Sequence, residues 1–311
     1  MRPAAWPAAF VGLLAIALSP LSRAQDVAPA DFADWAARND YAPGRDWRSY
    51  LLIAPGNMGP NALPMPPTVT GRVDTAITLS LAGSAHYAPG DRASDLTLAA
   101  AYPFGRRASL RVRYTLREWY RYDAAVALER NALRPAGAYS AAGDVWVEGV
   151  FQVLRQRARR PDVALAARIK TASGGDLEGL RYTDSPGYWF DVSAGKDVRL
   201  GAAGAWTLRP YASAGFFVWQ RFGEDSPQND AFTYAAGTRA ECGPLSVWAE
   251  GAGYVGYTGR LDQPLVLRGG GGVALGQQWR LEARLAHGLH DWAYTSLSLA
   301  GRSALGKARQ P

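Results

Sequence analysis

The sequence predicts an all-β fold: a transmembrane antiparallel β-barrel of about twelve strands. Three observations predict it. The chain starts with an export segment, most of it after residue 74 alternates apolar and polar side chains, and its connections alternate between short and long.

The export segment has three parts. Arg2 supplies a basic start, residues 8–18 (AAFVGLLAIAL) form an apolar run, and Ser22 and Ala24 place small residues before a cut ahead of Gln25. The run is shorter than the ~20 apolar residues a spanning helix needs. No comparable stretch follows, which excludes a helical inner-membrane protein. Cys242 is the single cysteine, so no internal disulfide can form. An exported chain of this kind must draw stability from another source, and a closed barrel in a bilayer supplies one.

In a strand, alternate side chains point to opposite faces, so a barrel in lipid turns an apolar set outward and a polar set inward. Over 109–120, Ser109, Arg111, Arg113, Thr115 and Arg117 oppose Leu110, Val112, Tyr114 and Leu116. Three arginines on one face do not fit a dry core, but a hydrated lumen accepts them. The same pattern recurs at 145–153, 163–171, 208–218, 245–257 and 279–289. It is weaker at 75–87, 94–102, 188–198, 232–240, 265–275 and 292–302, giving twelve strands. A soluble sandwich would not hold rows of inward arginines, and no 40–50-residue repeat supports a propeller.

Short turns fall at 103–106, 241–244 and 276–278, and longer loops at 121–143, 172–187, 221–231 and 258–264. Short turns inside and long loops outside are the outer-membrane arrangement, and an even strand count puts both chain ends in the periplasm. The expected organisation is a signal peptide at 1–24, a periplasmic leader or plug at 25–74, the barrel at 75–302 and a tail at 303–311. Residues 51–67 hold five prolines, so they cannot form a central strand, while Leu51, Leu52 and Ile53 favour burial.

The stretches LLIAPGNMGPNALPMP (51–66), KTASGGDLEGLRYTDSPGYWFDVSAGKD (170–197) and FFVWQRFGEDSPQNDAFTYAAG (216–237) resemble a group of uncharacterised outer-membrane β-barrel proteins of Gram-negative bacteria. The resemblance implies the barrel and its location. It implies no activity and carries over no catalytic residue.

The expected lumen charges are Arg111, Arg113, Arg117, Arg168, Lys170, Arg209, Arg268, Arg280 and Arg284, against Asp95, Glu148, Asp191, Glu250 and Glu282. The bland reading is a salt-bridged network filling a narrow lumen. The functional reading is a porin-like narrow pore favouring small anionic solutes, because excess lumen cations attract anions. An outer-leaflet lipid hydrolase is the alternative, with Ser84, His86 and His290 gathered near one barrel end. Tyr87, Trp119, Tyr120, Tyr188, Trp189, Trp219, Tyr257 and Trp292 are expected at an interfacial girdle. The expected partners are outer-membrane lipid and lipopolysaccharide, the barrel assembly machinery and small anionic solutes. No cofactor, metal or nucleic acid is expected. Gly251, Gly253 and Gly256 match a dinucleotide fingerprint but lie within an alternating strand, so that reading fails. The glycines at 269–272 read as a bend, or as a place where a bulky neighbour crosses.

Overall fold

The computed structural model describes residues 29–201, 205–223 and 225–307, so the expected export segment at 1–24 lies outside the described residues. Fourteen strands follow a short helix, α1 (Pro29–Arg38). They are β1 (Ala76–Ala88), β2 (Asp91–Phe104), β3 (Ala108–Tyr122), β4 (Gly137–Ala141), β5 (Val145–Leu154), β6 (Asp162–Lys170), β7 (Gly187–Gly195), β8 (Val198–Leu200), β9 (Trp206–Gln220), β10 (Gln228–Cys242), β11 (Leu245–Gly256), β12 (Leu265–Leu275), β13 (Trp279–His290) and β14 (Thr295–Lys307). A second helix, α2 (Ala124–Glu129), lies between β3 and β4.

Twelve of these strands form one closed antiparallel barrel, while β4 extends the pairing of β3 and β8 that of β9. Pairing of β1 with β14, from Ala76↔Lys307 to Tyr87↔Thr295, closes the sheet. Closure gives each of the twelve barrel strands a partner on both sides, which a hydrocarbon environment demands. No helix of the described residues is long and apolar enough to cross a membrane. The outer surface carries Leu79, Leu81, Leu165, Ile169, Leu281, Leu285, Leu297 and Leu299, all exposed.

One end of the barrel, the turn rim, carries the tight hairpins at Gly105, Gly243 and Gly276. All three glycines have positive φ, which other residues adopt only with strain. The opposite end, the loop rim, carries the long connections. The connection from β1 to β2 departs from that rhythm: it is the two-residue turn Pro89–Gly90, so β2 begins at Asp91 rather than 94. Residues 303–307, expected in a tail, continue β14, and Trp292 precedes that strand.

A bulge in β3 corrects one expected face. Pairing with β2 passes from Leu96↔Arg117 to Thr97↔Thr115, leaving Leu116 without a partner. One extra residue inverts every side chain beyond it. Glu118, Tyr120 and Tyr122 therefore turn inward, while Arg117, Trp119 and Arg121 turn outward.

The segment before the barrel threads through it. At the loop rim, Trp35 donates to the Asn131 carbonyl at 3.1 Å and Arg48 pairs with Asp184 at 3.1 Å. Residues 51–73 then run inside the barrel, with Ile53, Met58 and Leu63 buried and Leu52 exposed. At the turn rim, Arg72 meets Asp162 at 2.7 Å and Asp74 accepts from Arg111 at 2.6 Å. The described residues therefore begin at the loop rim and end at the turn rim. Of the two arrangements expected for this segment, leader or plug, the path through the barrel is that of a plug. The cause is apolar: Ile53, Met58 and Leu63 find burial against the cluster of aromatic side chains in the loop-side lumen.

This path is testable with single cysteines in a Cys242→Ser background. In intact cells, a membrane-impermeant maleimide should label Ala37→Cys together with the loop-rim Ala125→Cys, and leave the turn-rim Arg157→Cys unlabelled. Labelling of Ala37→Cys only after lysis, alongside Arg157→Cys, would contradict the threading.

Candidate functional site

The loop-side half of the lumen is filled. Trp146, Trp189, Phe217, Trp219 and Tyr254 stack in series, with centroids 4.7 Å apart for Trp146–Trp189, 3.6 Å for Trp189–Phe217 and 4.5 Å for Phe217–Trp219. The Tyr254 hydroxyl donates to the Leu63 carbonyl at 2.9 Å and so ties this stack to the threaded segment. Above it lies a charged layer. Asp91 accepts from Arg130 and Arg181, both at 2.6 Å, and from Tyr294 at 2.7 Å. Arg181 also lies over the Tyr120 ring, 4.0 Å from its centroid. Arg181 belongs to the 171–186 connection, which therefore folds into the barrel mouth. Lys170 holds it there through Asp144, Thr183 and the Ser185 carbonyl, at 2.8, 2.8 and 2.7 Å. Burial pushes the Asp144 carboxyl up, and Lys170 opposes that shift.

Three arginines hold the threaded segment between mid-height and the turn rim. Arg268 donates to the Met65 and Pro66 carbonyls at 3.2 and 2.7 Å and to Thr68 at 3.0 Å. Arg168 donates to the Pro67 carbonyl at 2.9 Å, and Arg209 to the Thr70 carbonyl at 2.7 Å. The prolines prevent a ladder, so these carbonyls need donors from elsewhere. Each arginine also has a carboxylate: Glu250 for Arg268, Glu148 and Asp191 for Arg168, and Asp162 and Asp197 for Arg209. Burial alone would raise the Asp197 pKa, but hydrogen bonds from Arg209 and Arg72 outweigh it and hold that carboxyl below its usual value. Its contribution is therefore present above the unfolded carboxyl's value of about 3.9 and is lost as the pH falls through the lower folded value.

Beside the segment, in the turn-side half, lies a cavity of about 500 Å³. Arg111, Arg113, Arg168, Arg239, Arg268, Arg284 and Arg302 line it, against Asp74, Glu148, Glu250 and Glu282. Cations therefore outnumber carboxylates seven to four on its wall. Arg113 meets no carboxylate among the described residues and lies instead over the Trp146 ring, 4.9 Å from its centroid. Of the glycines at 269–272, Gly270 is the one that Trp248 crosses: a Cβ on it would stand 2.9 Å from the indole nitrogen.

Eight of the nine cations expected in the lumen point inward, and Arg117 is the exception already explained by the bulge. Lys170 and Arg209 face inward but brace the loop and the turn rim. Arg280 lies near the turn rim, 3.3 Å from Glu282. Asp91, Asp144, Glu118, Arg181 and Arg239 escaped the sequence reading. Two of them lie beyond expected strand ends, Glu118 is displaced by the bulge, and Arg181 sits in a loop expected to be external. Among the expected girdle residues, Tyr87, Trp119, Tyr188 and Tyr257 are exposed, while Tyr120, Trp189 and Trp219 are lumen residues.

The group expected for a hydrolase does not assemble. Ser84 bonds to Ser298 at 3.0 Å, and His290 is exposed and held by the Gln263 carbonyl at 3.0 Å. His86 lies instead between Ser296 and Asp95, 2.7 Å from each. The order resembles a nucleophilic relay. However, Ser296 sits in a regular ladder opposite both His86 and Ala286 rather than on an exposed turn. Asp95 also accepts from Asn61 of the threaded segment at 3.2 Å, so the group works as a tie between barrel and plug.

Glu148 bridges two lumen arginines, meeting Arg111 at 2.6 Å and also Arg168. Breaking one side of a buried ion pair costs about 3–5 kcal/mol. Glu148→Gln should fall near the low end, about 3 kcal/mol, because Asp74 and Asp191 remain as partners. Urea unfolding of vesicle-reconstituted protein checks this. A loss within about 0.5 kcal/mol would class Glu148 with ordinary surface sites.

Comparison with known proteins supports the fold. No protein-family profile and no curated protein sequence matches the chain. Among solved structures, an outer membrane channel from Pseudomonas putida F1 superposes with a TM-score of 0.50 at 13% identity, covering 76% of this chain and 98% of that one. The KdgM porin gives 0.46 at 7% identity, covering 73% and 99%. The Acinetobacter baumannii outer membrane protein Omp33 gives 0.35 at 11%, covering 74% and 99%. At these identities the likeness concerns fold alone, and that fold is the outer-membrane β-barrel.

Proposed function

We propose that this protein is an outer-membrane channel for small anionic solutes, held closed by residues 51–73. The observation that carries the reading is the cavity wall, with seven arginines against four carboxylates. Excess cationic charge in a confined lumen lowers the barrier for anions and raises it for cations. Carboxylates, phosphates and acidic sugars are the solute class. The aromatic stack and the threaded segment together account for closure, because they occupy the loop-side half that a solute must cross.

The proposal includes the setting. The chain is exported through its signal peptide to the outer membrane of a Gram-negative cell, as in the uncharacterised barrels it resembles. The assembly machinery inserts it with the loop rim outward, the orientation that long loops favour.

A variant that loosens the segment without removing lumen charge tests this. Gly71 has φ +82°, and a Cβ there would stand 2.8 Å from the Gly195 nitrogen and 2.9 Å from the Asp162 carbonyl oxygen. Gly71→Val should displace the segment. In planar bilayers the wild type should conduct little, and Gly71→Val should open in discrete steps with chloride preferred over potassium. Adding Arg113→Glu and Arg284→Glu should move the reversal potential towards cations. A variant that stays closed, or one that prefers cations from the start, would contradict the proposal.

A further inference from the structure

The bulge in β3 has a second effect, on the outer wall. It brings Arg117 and Arg121 to the outside at the loop rim, where Arg92 of β2 joins them. Arg92 and Arg121 are direct register partners. Directly opposed side chains in an antiparallel pair have Cβ atoms about 5 Å apart, and like charges there repel. No carboxylate among the described residues pairs with any of the three, and Arg117 has only the Ser140 hydroxyl. Inside the barrel most arginines meet a carboxylate. Here, on the surface, the sequence clusters them without any.

The surroundings indicate what balances the charge. A groove of about 690 Å³ runs beside Arg92 and Arg121, with Tyr87, Ser94, Trp119 and Ser140 on its walls, and Arg117 meets it through the Ser140 hydroxyl. Tyr87 and Trp119 are about half exposed, at 54% and 50%, and mark the level where hydrocarbon gives way to headgroups. Below them on the same face, Leu81 pairs with Leu98. Along β3 the order towards the loop rim is Arg117, Trp119 and Arg121, and Tyr87 is level with Arg92 and Arg121. A ligand here would therefore meet leucines at one end and then guanidinium groups interleaved with aromatic rings and two hydroxyls. That order matches a lipid whose headgroup is a phosphorylated sugar.

We propose that Arg92, Arg117 and Arg121 form a binding site for the phosphorylated glycolipid of the outer leaflet, the lipid A part of lipopolysaccharide. Each guanidinium presents a planar fork of donors that fits phosphate oxygens, and two adjacent phosphates would neutralise the Arg92/Arg121 repulsion. The hydroxyls of Ser94 and Ser140 lie where sugar hydroxyls need partners. The site uses the loop-outward orientation given above but not the lumen, so it stands whether or not the channel conducts.

The test uses purified full-length protein in detergent, titrated with diphosphorylated lipid A and followed by native mass spectrometry. Arg92→Gln/Arg117→Gln/Arg121→Gln should bind at least about tenfold more weakly than wild type. The turn-rim control Arg155→Gln/Arg157→Gln/Arg159→Gln should bind as wild type. Dephosphorylated lipid A should bind neither protein strongly. If heat-shifted gel mobility shows that the loop-rim triple variant does not fold, Arg121→Gln alone should still weaken binding several-fold. Unchanged binding in the loop-rim variants, or an equal loss in the control, would overturn the site. Equal affinity for phosphatidylglycerol, or saturation by inorganic phosphate, would overturn the glycolipid assignment.

Discussion

The structure depends on arginines inside the barrel that donate to the backbone of a proline-rich strand of chain. Arg168, Arg209 and Arg268 reach from three different strands to carbonyls at positions 65–70. Each side offsets the other's burial cost. The prolines deny residues 64–67 a regular ladder, and buried carbonyls without donors are costly. The guanidinium groups would be equally costly in a narrow lumen without acceptors. Their carboxylate partners neutralise the charge, and the carbonyls take the remaining donors. The segment is thereby part of the fold rather than an appendage.

This arrangement divides the lumen. Loop-side, the aromatic stack around Trp189 and Phe217 gives Ile53, Met58 and Leu63 a dry environment. Turn-side, the segment becomes polar at Thr68 and Thr70, and the cavity beside it is walled by arginines. A plug held partly by apolar contact and partly by hydrogen bonds can be released in stages. The turn-side clamp, where Arg72, Arg209, Asp162 and Asp197 meet, is the more hydrated of the two.

Much of the barrel could be read from alternation alone, because lipid on one face and water on the other impose period two on every strand. The twelve expected strands are all present, and Leu165, Ile169, Leu281 and Leu285 face outward as their spacing requires. What escaped was local. Nothing in the sequence around Leu116 announces a bulge, since Arg117 continues the polar set and Leu116 the apolar one. Only the pairing with β2 shows that Glu118 replaces Arg117 in the lumen. Trp189 and Trp219 suit a membrane interface by residue type, and only their neighbours decide that they face inward. The threading of residues 51–73 was half visible: apolar residues between prolines indicate burial, but not the rim at which the chain enters.

Hydrogen–deuterium exchange of the wild-type protein in lipid tests most directly whether the segment is built into the fold. Amides at 56, 59 and 62, which donate to carbonyls of Leu261, Leu180 and Gly59, should exchange as slowly as those of the barrel strands. Exchange as fast as that of an open surface loop would show that the segment is not held, and would contradict the account.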